Sequence, residues 1–438
     1  MNISFSKKYN NADWHVKLLI YNNNISLTSP DQIEETNGSM IPPESILSIQ
    51  IQNSIIDFVP TVVFQVIDNK YAITNYLKNQ NCKLILLLSR PLQKQNDNEK
   101  SNDMTLSTIV KEYDVINFDN ESITYRISCE LTNSIPLNTL CEYATKEPEN
   151  PYEIAYKILK NCGYSLFPIE TKSEKGTILQ TKYCLPSTDY KCNFITNQNM
   201  TVLNAIKYLF SAGAANSSEP AYLVHNLLYD RGFITSRRTL MRKDWLDTQP
   251  GVTKIDFNFS SSDIGETHIM SFLSTKSALG GIEHSKLYNN YEFFSYNHLK
   301  REWDSNLISK NNLNDTLTKF IDVQQEKSLF DTGDLTEDPK LSLKYQFPPI
   351  NDYFITDVKR NLDLYSSNLQ FTVLGDLELD VGLMINIDET RGGNQKIEQF
   401  SGVWMISKIL HTFSDQMFKT NMIVSRVSYK KNLTTDVI

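Results

Sequence analysis

The six cysteines are the residues of this sequence whose chemistry is easiest to judge from spacing. They stand at positions Cys82, Cys129, Cys141, Cys162, Cys184 and Cys192. They form no C-x-x-C pair, and no histidine follows at zinc-finger spacing, so a structural zinc site lacks its ligand set. Cys184 and Cys192 are near enough in sequence for a disulfide or half of a metal site, and that alternative stays open here. The spacing favours buried free thiols, with no metal and no cofactor.

Histidines and acidic residues show no catalytic constellation either. The sequence contains no H-E-x-x-H, no G-x-S-x-G, no Walker loop and no dinucleotide-binding G-x-G-x-x-G. His284, His298 and His411 are isolated from cysteines and from one another, and His225 has no carboxylate or cysteine partner that the sequence specifies. The 51 acidic residues supply carboxylate pairs by chance, and spacing alone cannot place two of them across a sugar ring. We therefore predict no catalytic residues and a protein that is not an enzyme.

Composition limits the partners. The chain has 438 residues and a formal net charge of -8, so we expect two to four domains and no sequence-specific nucleic-acid partner, because binding by phosphate neutralisation needs a basic face. The one dense basic cluster contains Arg237, Arg238, Arg242 and Lys243, and we interpret it as a solvated strand end since Asp244 follows directly.

No segment has the pattern of a signal peptide or a membrane helix. The N-terminus, MNISFSKKYN, lacks an uninterrupted apolar core and a small-residue cleavage site. The longest apolar run, Leu84 to Leu88, is far below the roughly 20 residues that a membrane helix needs. We predict that this run is a core strand and that the protein does not insert into a membrane.

The first third of the chain has the pattern of short antiparallel strands, so we predict an all-β domain, a sandwich or an N-terminal β-barrel, over residues 1–135. Val16 and Leu18 belong to an alternation typical of a strand with one buried face. In SILSIQIQNSI the same period places Leu47 and Ile49 together on the buried face. Turn residues separate these strands, as in an antiparallel sandwich or barrel.

The pattern changes in the middle, where residues 136–245 are predicted to form a small α/β linking domain. Asn150 supplies a helix N-cap, Pro151 stands in the first turn, and Gly163 marks the end of the helix. A second apolar stripe at helical spacing begins near Thr201. The segment YLVHNLLYDRGFIT then predicts two strands around a turn.

Residues 246–438 are predicted to form a second β-barrel with a helical insertion and Asn-rich loops. Apolar residues lie on one helical face over residues 355–365. Leucines, valine and isoleucines then alternate without a slip over residues 377–387, which predicts a strand whose opposite face carries Asp380 and Met384.

The C-terminal strands carry a motif of glycines, aromatics and apolar residues. Its positions are Phe371, Val373, Gly375, Leu379, Gly382, Gly402, Trp404, Ile406 and His411. An aromatic or β-branched strand runs into a glycine corner, a leucine-to-glycine step and an inner strand, and a G-x-W-x-I-x-x-x-x-H strand follows. This pattern resembles the closing barrel of baseplate hub proteins of contractile phage tails, a family related to type VI secretion spike proteins and tail-associated hub proteins. The segment from 200 to 234 is similar to the linking domain of that family.

The resemblance implies a fold and an assembly. Family members carry two tail-tube-like antiparallel β-barrels in one chain joined by a small α/β domain, so the expected fold class is mainly β with an α+β linker. Three chains form a pseudo-sixfold ring that joins the sixfold tail tube to a threefold spike and lets the genome pass. The implied location is the tail baseplate of a virion made in the host cytoplasm.

The resemblance also implies partners. These are two further copies in a homotrimer, a central spike protein and tail tube or tube-initiator proteins, with tape-measure and baseplate wedge proteins as further candidates. Because the chain ends at Ile438, just beyond the last predicted barrel strand, we expect the spike to be a separate protein. Asn-rich insertions at 22–40, 92–103 and 304–316 have no assigned counterpart in the family.

Two other functions stay open on the sequence alone. A cell-wall hydrolase of the tail tip would need a catalytic domain, and no segment of that length is left over. A receptor- or glycan-binding tail protein could use the aromatic residues Tyr288, Tyr291, Phe293 and Phe294, although strand cores concentrate aromatics as well.

Overall fold

The computed structural model describes residues 6–9, 12–22, 38–69, 71–78, 81–89, 103–119, 121–168, 185–186, 188, 190–215, 220–240, 255–257, 269–277, 291–297, 302–308, 360, 364, 367–387, 390–391, 395–396 and 402–426. Within these residues the chain forms twenty β-strands and four short α-helices. The predicted fold class, mainly β with antiparallel barrel sheets and an α/β linker, is confirmed.

Eight strands and one helix come from the N-terminal third. They are β1 (Ser6–Tyr9), β2 (Ala12–Asn22), β3 (Ser39–Ile41), β4 (Ile46–Ser54), β5 (Thr61–Asp68), α1 (Ala72–Leu77), β6 (Cys82–Ser89), β7 (Met104–Phe118) and β8 (Ile123–Leu131). The alternation in β2 buries Val16 and Leu18 as predicted. The predicted face of β4 was wrong at one position: Leu47 is exposed and Ile46 is buried, because a register shift between Ile46 and Ser48 reverses the alternation there.

The middle of the chain supplies helices and one hairpin. Its elements are a 3-10 helix (Thr132–Asn138), α2 (Pro151–Asn161), α3 (Val202–Ala215), β9 (Tyr222–Asn226), β10 (Arg231–Thr235) and α4 (Arg237–Leu240). The predicted start of α2 is confirmed, since the Asn150 side chain accepts a hydrogen bond from the Tyr152 N–H at 2.8 Å and Pro151 follows. Gly163, with φ of +86°, stands just beyond its end. Helices α2 and α3 pack on each other around a core of their own.

The remaining strands belong to the C-terminal part. They are β11 (Ile255–Phe257), β12 (Ile269–Ser277), β13 (Tyr291–Asn297), β14 (Glu302–Ile308), β15 (Ser367–Leu374), β16 (Met384–Ile387), β17 (Thr390–Arg391), β18 (Gln395–Lys396), β19 (Gly402–Ser414) and β20 (Met417–Arg426). The predicted helix over 355–365 lies outside the described residues apart from positions 360 and 364. The side chains of the aromatic stretch 288–294 also lie outside the description.

The strand predicted over residues 377–387 was wrong in its first half. Only Met384–Ile387 is a strand, and residues 377–383 form an irregular segment with turns. The face expected to be exposed to solvent is not exposed at Asp380 and Met384, because both side chains are buried. The physical reason is that this segment is covered on both sides, by β19 and by the hairpin of β9 and β10, so alternation in sequence does not correspond to an inner and an outer face.

One large sheet of fourteen strands connects both ends of the chain. Its path runs β1-β2-β6-β7-β8-β5-β4-β19-β20-β15-β12, with β3, β11 and β16 paired at its sides. Leu227, Leu377, Phe413 and Phe418 pack in the core of the N-terminal strands. Residues on either side of the predicted domain boundaries near 135 and 245 therefore pack in shared cores. The domain boundaries stay predictions.

Candidate functional site: the junction of the two sheets

Strands β4 and β19 join the N-terminal and C-terminal sheets edge to edge. Their antiparallel register runs from Lys408 opposite Ser54 to Ser414 opposite Ser48. Just beyond the strand end, the Ile55 N–H donates to the Ser407 carbonyl at 3.0 Å. Because β4 also pairs with β5 and β19 also pairs with β20, both strands are paired on two sides. The junction thus removes two sheet edges that would otherwise invite uncontrolled association.

Four aromatic side chains close the junction on its core side. The rings of Phe413 and Phe418, from the hairpin of β19 and β20, stack with centroids 3.9 Å apart. Tyr9 meets Phe413 edge-on at 5.2 Å, and Trp14 meets Phe418 edge-on at 5.3 Å. Aromatic pairs of this kind contribute about 0.5–1.5 kcal/mol each beyond their buried area. The C-terminal hairpin therefore completes the core of the N-terminal sheet.

The structure brings the predicted barrel motif together at this junction. Gly375 follows β15, and its N–H donates to the Phe418 carbonyl at 2.9 Å. A Cβ at Gly375 would lie 2.0 Å from the Phe418 ring, so the close approach of backbone to ring requires glycine. Gly382 has φ of +79°, and its N–H donates to the Ile406 carbonyl at 2.8 Å.

The other motif residues fill the C-terminal core or begin its strand. Phe371, Leu379, Trp404 and Ile406 are buried in one cluster, and Gly402 is the first residue of β19. The Arg426 guanidinium lies over the Trp404 ring at 4.2 Å, a cation–π contact.

His411 holds the irregular segment against β20. Its Nε2–H donates to the Leu379 carbonyl at 3.2 Å, which leaves Nδ1 to accept a hydrogen bond from the Thr420 hydroxyl at 2.9 Å. Burial lowers the pKa of His411 to about 4, because the charged form would lose its hydration. The imidazole is therefore neutral at physiological pH, and both of its nitrogen atoms are used in structural hydrogen bonds.

A buried carboxylate, Asp380, links three parts of the chain. Its Oδ1 accepts from the Asn53 side-chain amide at 2.7 Å, and its Oδ2 accepts from the Leu227 N–H at 2.6 Å. The Val381 N–H adds a third donor at 2.7 Å. Asn53 also donates to the His225 carbonyl at 2.6 Å. Strand β4, the β9–β10 hairpin and the irregular segment are thus fixed at one point by charge-assisted hydrogen bonds.

Asp380 gives the junction a defined pH dependence. Burial raises the pKa of Asp380 from 3.8 to about 6, against the opposing effect of its N–H donors. The folded protein then holds a proton at pH values where the unfolded chain has lost it, so lowering the pH stabilises the folded state through this group, and the gain is lost as pH rises through about 6.

We predict a pH-dependent difference between the native protein and Asp380→Asn, which cannot titrate. Between pH 7 and pH 4 the unfolding free energy of the native protein should rise relative to that of the variant by about 2–3 kcal/mol. Chemical denaturation of both proteins at several pH values measures it, and other titrating groups cancel in the difference. A constant difference across this range would contradict the prediction.

A second hydrogen-bonded array lies beside Asp380. The Tyr164 hydroxyl contacts His225 Nδ1 at 2.9 Å, and His225 Nε2 contacts Asp230 Oδ1 at 3.0 Å. The Asn133 side chain donates to the Asp230 carbonyl at 3.1 Å and accepts from the Ser165 N–H. An Asp–His pair can activate a nucleophile, but burial raises the pKa of Tyr164 far above its usual range, so its hydroxyl stays protonated. The array positions the hairpin and does not present a nucleophile.

Two expectations for polar residues were wrong. His225 does have a carboxylate partner, Asp230, because the hairpin turn returns the chain beside it and Asp230 adopts a left-handed φ of 47°. Arg237 is not part of a solvated strand end, since it is buried and its guanidinium donates to the Ser425 carbonyl and hydroxyl at 2.9 and 3.0 Å. The turn at Asp230 was the sequence signal that could have predicted its contact with His225. No local sequence feature predicted the contact between Arg237 and Ser425.

The histidine, cysteine and acidic side chains in the described part of the chain decide whether it could bind a metal ion. Within it, no group of three or more histidine, cysteine or acidic residues could hold a metal ion. Five cysteines fall within the described ranges, and all five are free thiols. Burial raises the pKa of Cys129 to about 12, so it is a protonated core residue. No helix in the described ranges is long and apolar enough to cross a bilayer.

Comparison with known proteins finds similar structures but no matching sequence family. No family model and no curated protein matches the sequence. A 43 kDa tail protein of prophage MuSo2 from Shewanella oneidensis is similar at 9% identity and a TM-score of 0.49, covering 95% of this chain and 100% of the other. A tail protein from Neisseria meningitidis MC58 is similar at 9% identity and a TM-score of 0.48, covering 94% and 96%.

A third similar structure is an E. coli protein described as a component of the type VI secretion system. Its identity to this chain is 9% and the TM-score is 0.43, with 90% of this chain and 77% of the other covered. At these identities and TM-scores, the likeness assigns no activity, partner or assembly to this chain.

Proposed function

We propose that this protein is a structural hub of a phage tail baseplate. Three copies form a pseudo-sixfold ring that joins the sixfold tail tube to a central spike and lets the genome pass. The observation that carries the proposal is the continuous sheet in which two antiparallel barrel halves of one chain pair edge to edge through β4 and β19. Two barrel halves per chain would supply six around a ring of three chains.

The chemistry of the junction supports a structural role over a catalytic one. Its polar groups, Asp380, Asn53, His225 and His411, all use their hydrogen-bonding atoms to hold chain segments together. Networks of this kind fix one arrangement of segments, because any displacement leaves buried polar groups without partners. A ring that carries load between a tube and a spike needs two barrel halves at a constant relative position.

The barrel motif supports the same proposal. Gly375, Gly382, Trp404 and His411, which resemble the closing barrel of the hub family, all lie at the junction or in the core beside it. We propose the motif residues as structural positions of the barrel. The spike, the tube or tube-initiator proteins, and further copies of the chain are the proposed partners, and the tail baseplate is the proposed location.

The native mass of the full chain tests this function. Sedimentation velocity across a wide concentration range, alone and mixed with a candidate spike protein encoded beside it, should show a species that contains three copies of the 50.4 kDa chain in at least one condition. Electron microscopy of that species should show a ring with six similar lobes. A strict monomer in both conditions, together with hydrolysis of purified cell wall, would overturn the hub and favour the hydrolase alternative.

A further inference from the structure

Strand β7 extends beyond its neighbour β6, whereas its hairpin partner β8 stays paired with β5 up to Ile123. Strand β6 pairs with β7 only from Met104 to Ile109. Pairing between β7 and β8 continues to Phe118, which lies opposite Ile123. Among the described residues, the outer half of β7 is therefore paired on one side only, and its other edge presents backbone N–H and C=O groups.

This outer half of β7 is exposed on both faces although much of it is apolar. Val115 is 53% exposed, Ile116 52% and Phe118 66%, and Tyr113 is exposed beside them. Natural edge strands are usually short, twisted away or covered, because an exposed apolar edge invites pairing with another chain. An edge of this composition is typical of a binding site for an extended segment.

The hairpin is held in a defined shape. The Asp119 carboxylate accepts hydrogen bonds from the Glu121 N–H at 2.8 Å and the Ser122 N–H at 2.7 Å. These bonds lower the pKa of Asp119. The rings of Tyr113 and Tyr125 pack edge to face across the two strands at 6.0 Å. A pre-formed edge lowers the ordering cost that a partner must offset on binding.

The charge of the hairpin indicates the chemistry of the partner. The hairpin carries the acidic residues Glu112 and Asp114 on β7 and Asp119 and Glu121 at its turn. Its two cations face acidic residues of the same hairpin: Lys111 pairs with Glu130, and Arg126 lies opposite Asp114 in the strand register. Two copies of this edge would bring like charges together, which disfavours self-pairing. Basic side chains on the incoming strand would complement the acidic groups and raise the association rate.

We propose that residues 111–118 are a docking edge for an extended segment of another protein, one whose side chains alternate between basic and apolar. The segment adds a strand to β7 through backbone hydrogen bonds, its apolar side chains cover Val115 and Phe118, and its basic side chains approach Glu112 and Asp114. The inference is independent of the ring, because the edge is complete within one chain.

Peptide binding to the full chain tests the proposal. The probes are a labelled peptide of alternating lysine and valine, the same peptide with glutamate in place of lysine, and the lysine peptide with N-methyl groups along one backbone edge. The lysine peptide should bind at least about tenfold more tightly than the glutamate peptide, and the N-methylated one should not bind. Equal binding of all three would overturn strand addition.

Variants place the binding on this edge. The double variant Val115→Ser with Phe118→Ser should weaken the lysine peptide about tenfold. Leu140→Ser, which removes a leucine 63% exposed elsewhere, is the matched control and should bind as the native chain does. Unfolding midpoints of both variants should match the native value, since the altered side chains are exposed.

Two results would overturn the assignment to this edge. One is unchanged peptide affinity in the double variant. The other is concentration-dependent self-association of the native chain that disappears in the double variant, which would make the occupant a second copy.

Discussion

Gly375→Ala is expected to destabilise the protein by about 3 kcal/mol or more, the upper end of what overpacking a core costs. The new Cβ would lie 2.0 Å from the Phe418 ring. That ring cannot move freely, because it stacks on Phe413 and meets Trp14 edge-on. Relief of the clash must therefore disturb either the aromatic cluster or the Gly375 N–H bond to the Phe418 carbonyl. Chemical denaturation followed by tryptophan fluorescence measures the loss.

Two further variants separate this clash from other effects of glycine substitution. Gly163→Ala tests backbone strain alone, since nothing lies within 4 Å of its Cβ position but its φ is +86°; we expect a loss of about 1 kcal/mol. Phe418→Leu should cost less in the Gly375→Ala background than in the native chain, because the smaller side chain makes room for the methyl group. Additive losses, or a Gly375→Ala loss no larger than that of Gly163→Ala, would contradict the steric explanation.

Asp380→Ala is expected to destabilise the protein by about 3–5 kcal/mol, since each buried polar group left without a partner costs about 1–3 kcal/mol. The substitution removes the acceptor for the Leu227 and Val381 N–H groups and one of the acceptors for the Asn53 amide. These donors come from three separate parts of the chain, so the loss should loosen the junction itself. Relative to the native protein, hydrogen exchange should accelerate more in β4 and β19 than in β7 and β8.

Matched variants test whether the network, and not the charge alone, is responsible. Glu147→Ala removes an exposed carboxylate and should change the unfolding free energy by less than about 0.5 kcal/mol. Asn53→Ala combined with Asp380→Ala should cost less than the sum of the single losses, because both remove the same hydrogen bond. Additive losses for the pair would show that the two side chains act separately and would argue against a shared hydrogen-bond network.

Asp380→Ala and the double variant Val115→Ser with Phe118→Ser also test the proposed hub. If the ring depends on a fixed junction, Asp380→Ala should weaken trimer formation under conditions where the monomer is still folded. Val115→Ser with Phe118→Ser should leave the trimer intact, since that edge lies away from the junction in the sheet order. If the double variant prevented trimer formation and Asp380→Ala did not, the β7 edge and not the junction would be the part of the chain on which the trimer depends.

The sequence by itself determined most of the elements. Period-two alternation gave strands such as β2, and an N-cap with a first-turn proline located α2, because these signals act between residues close in the chain. These features depend on local geometry, which neighbouring residues specify.

Only the tertiary structure decided what those elements do together. Asp380 and Asn53 are 327 residues apart and Arg237 and Ser425 are 188 apart, so no spacing rule connects them. Alternation over 377–387 predicted a strand with one open face, but neighbours on both sides bury Asp380 and turn the segment into part of the junction. Burial and pairing of polar groups depend on which distant segments pack there, and a single sequence read locally does not specify that packing.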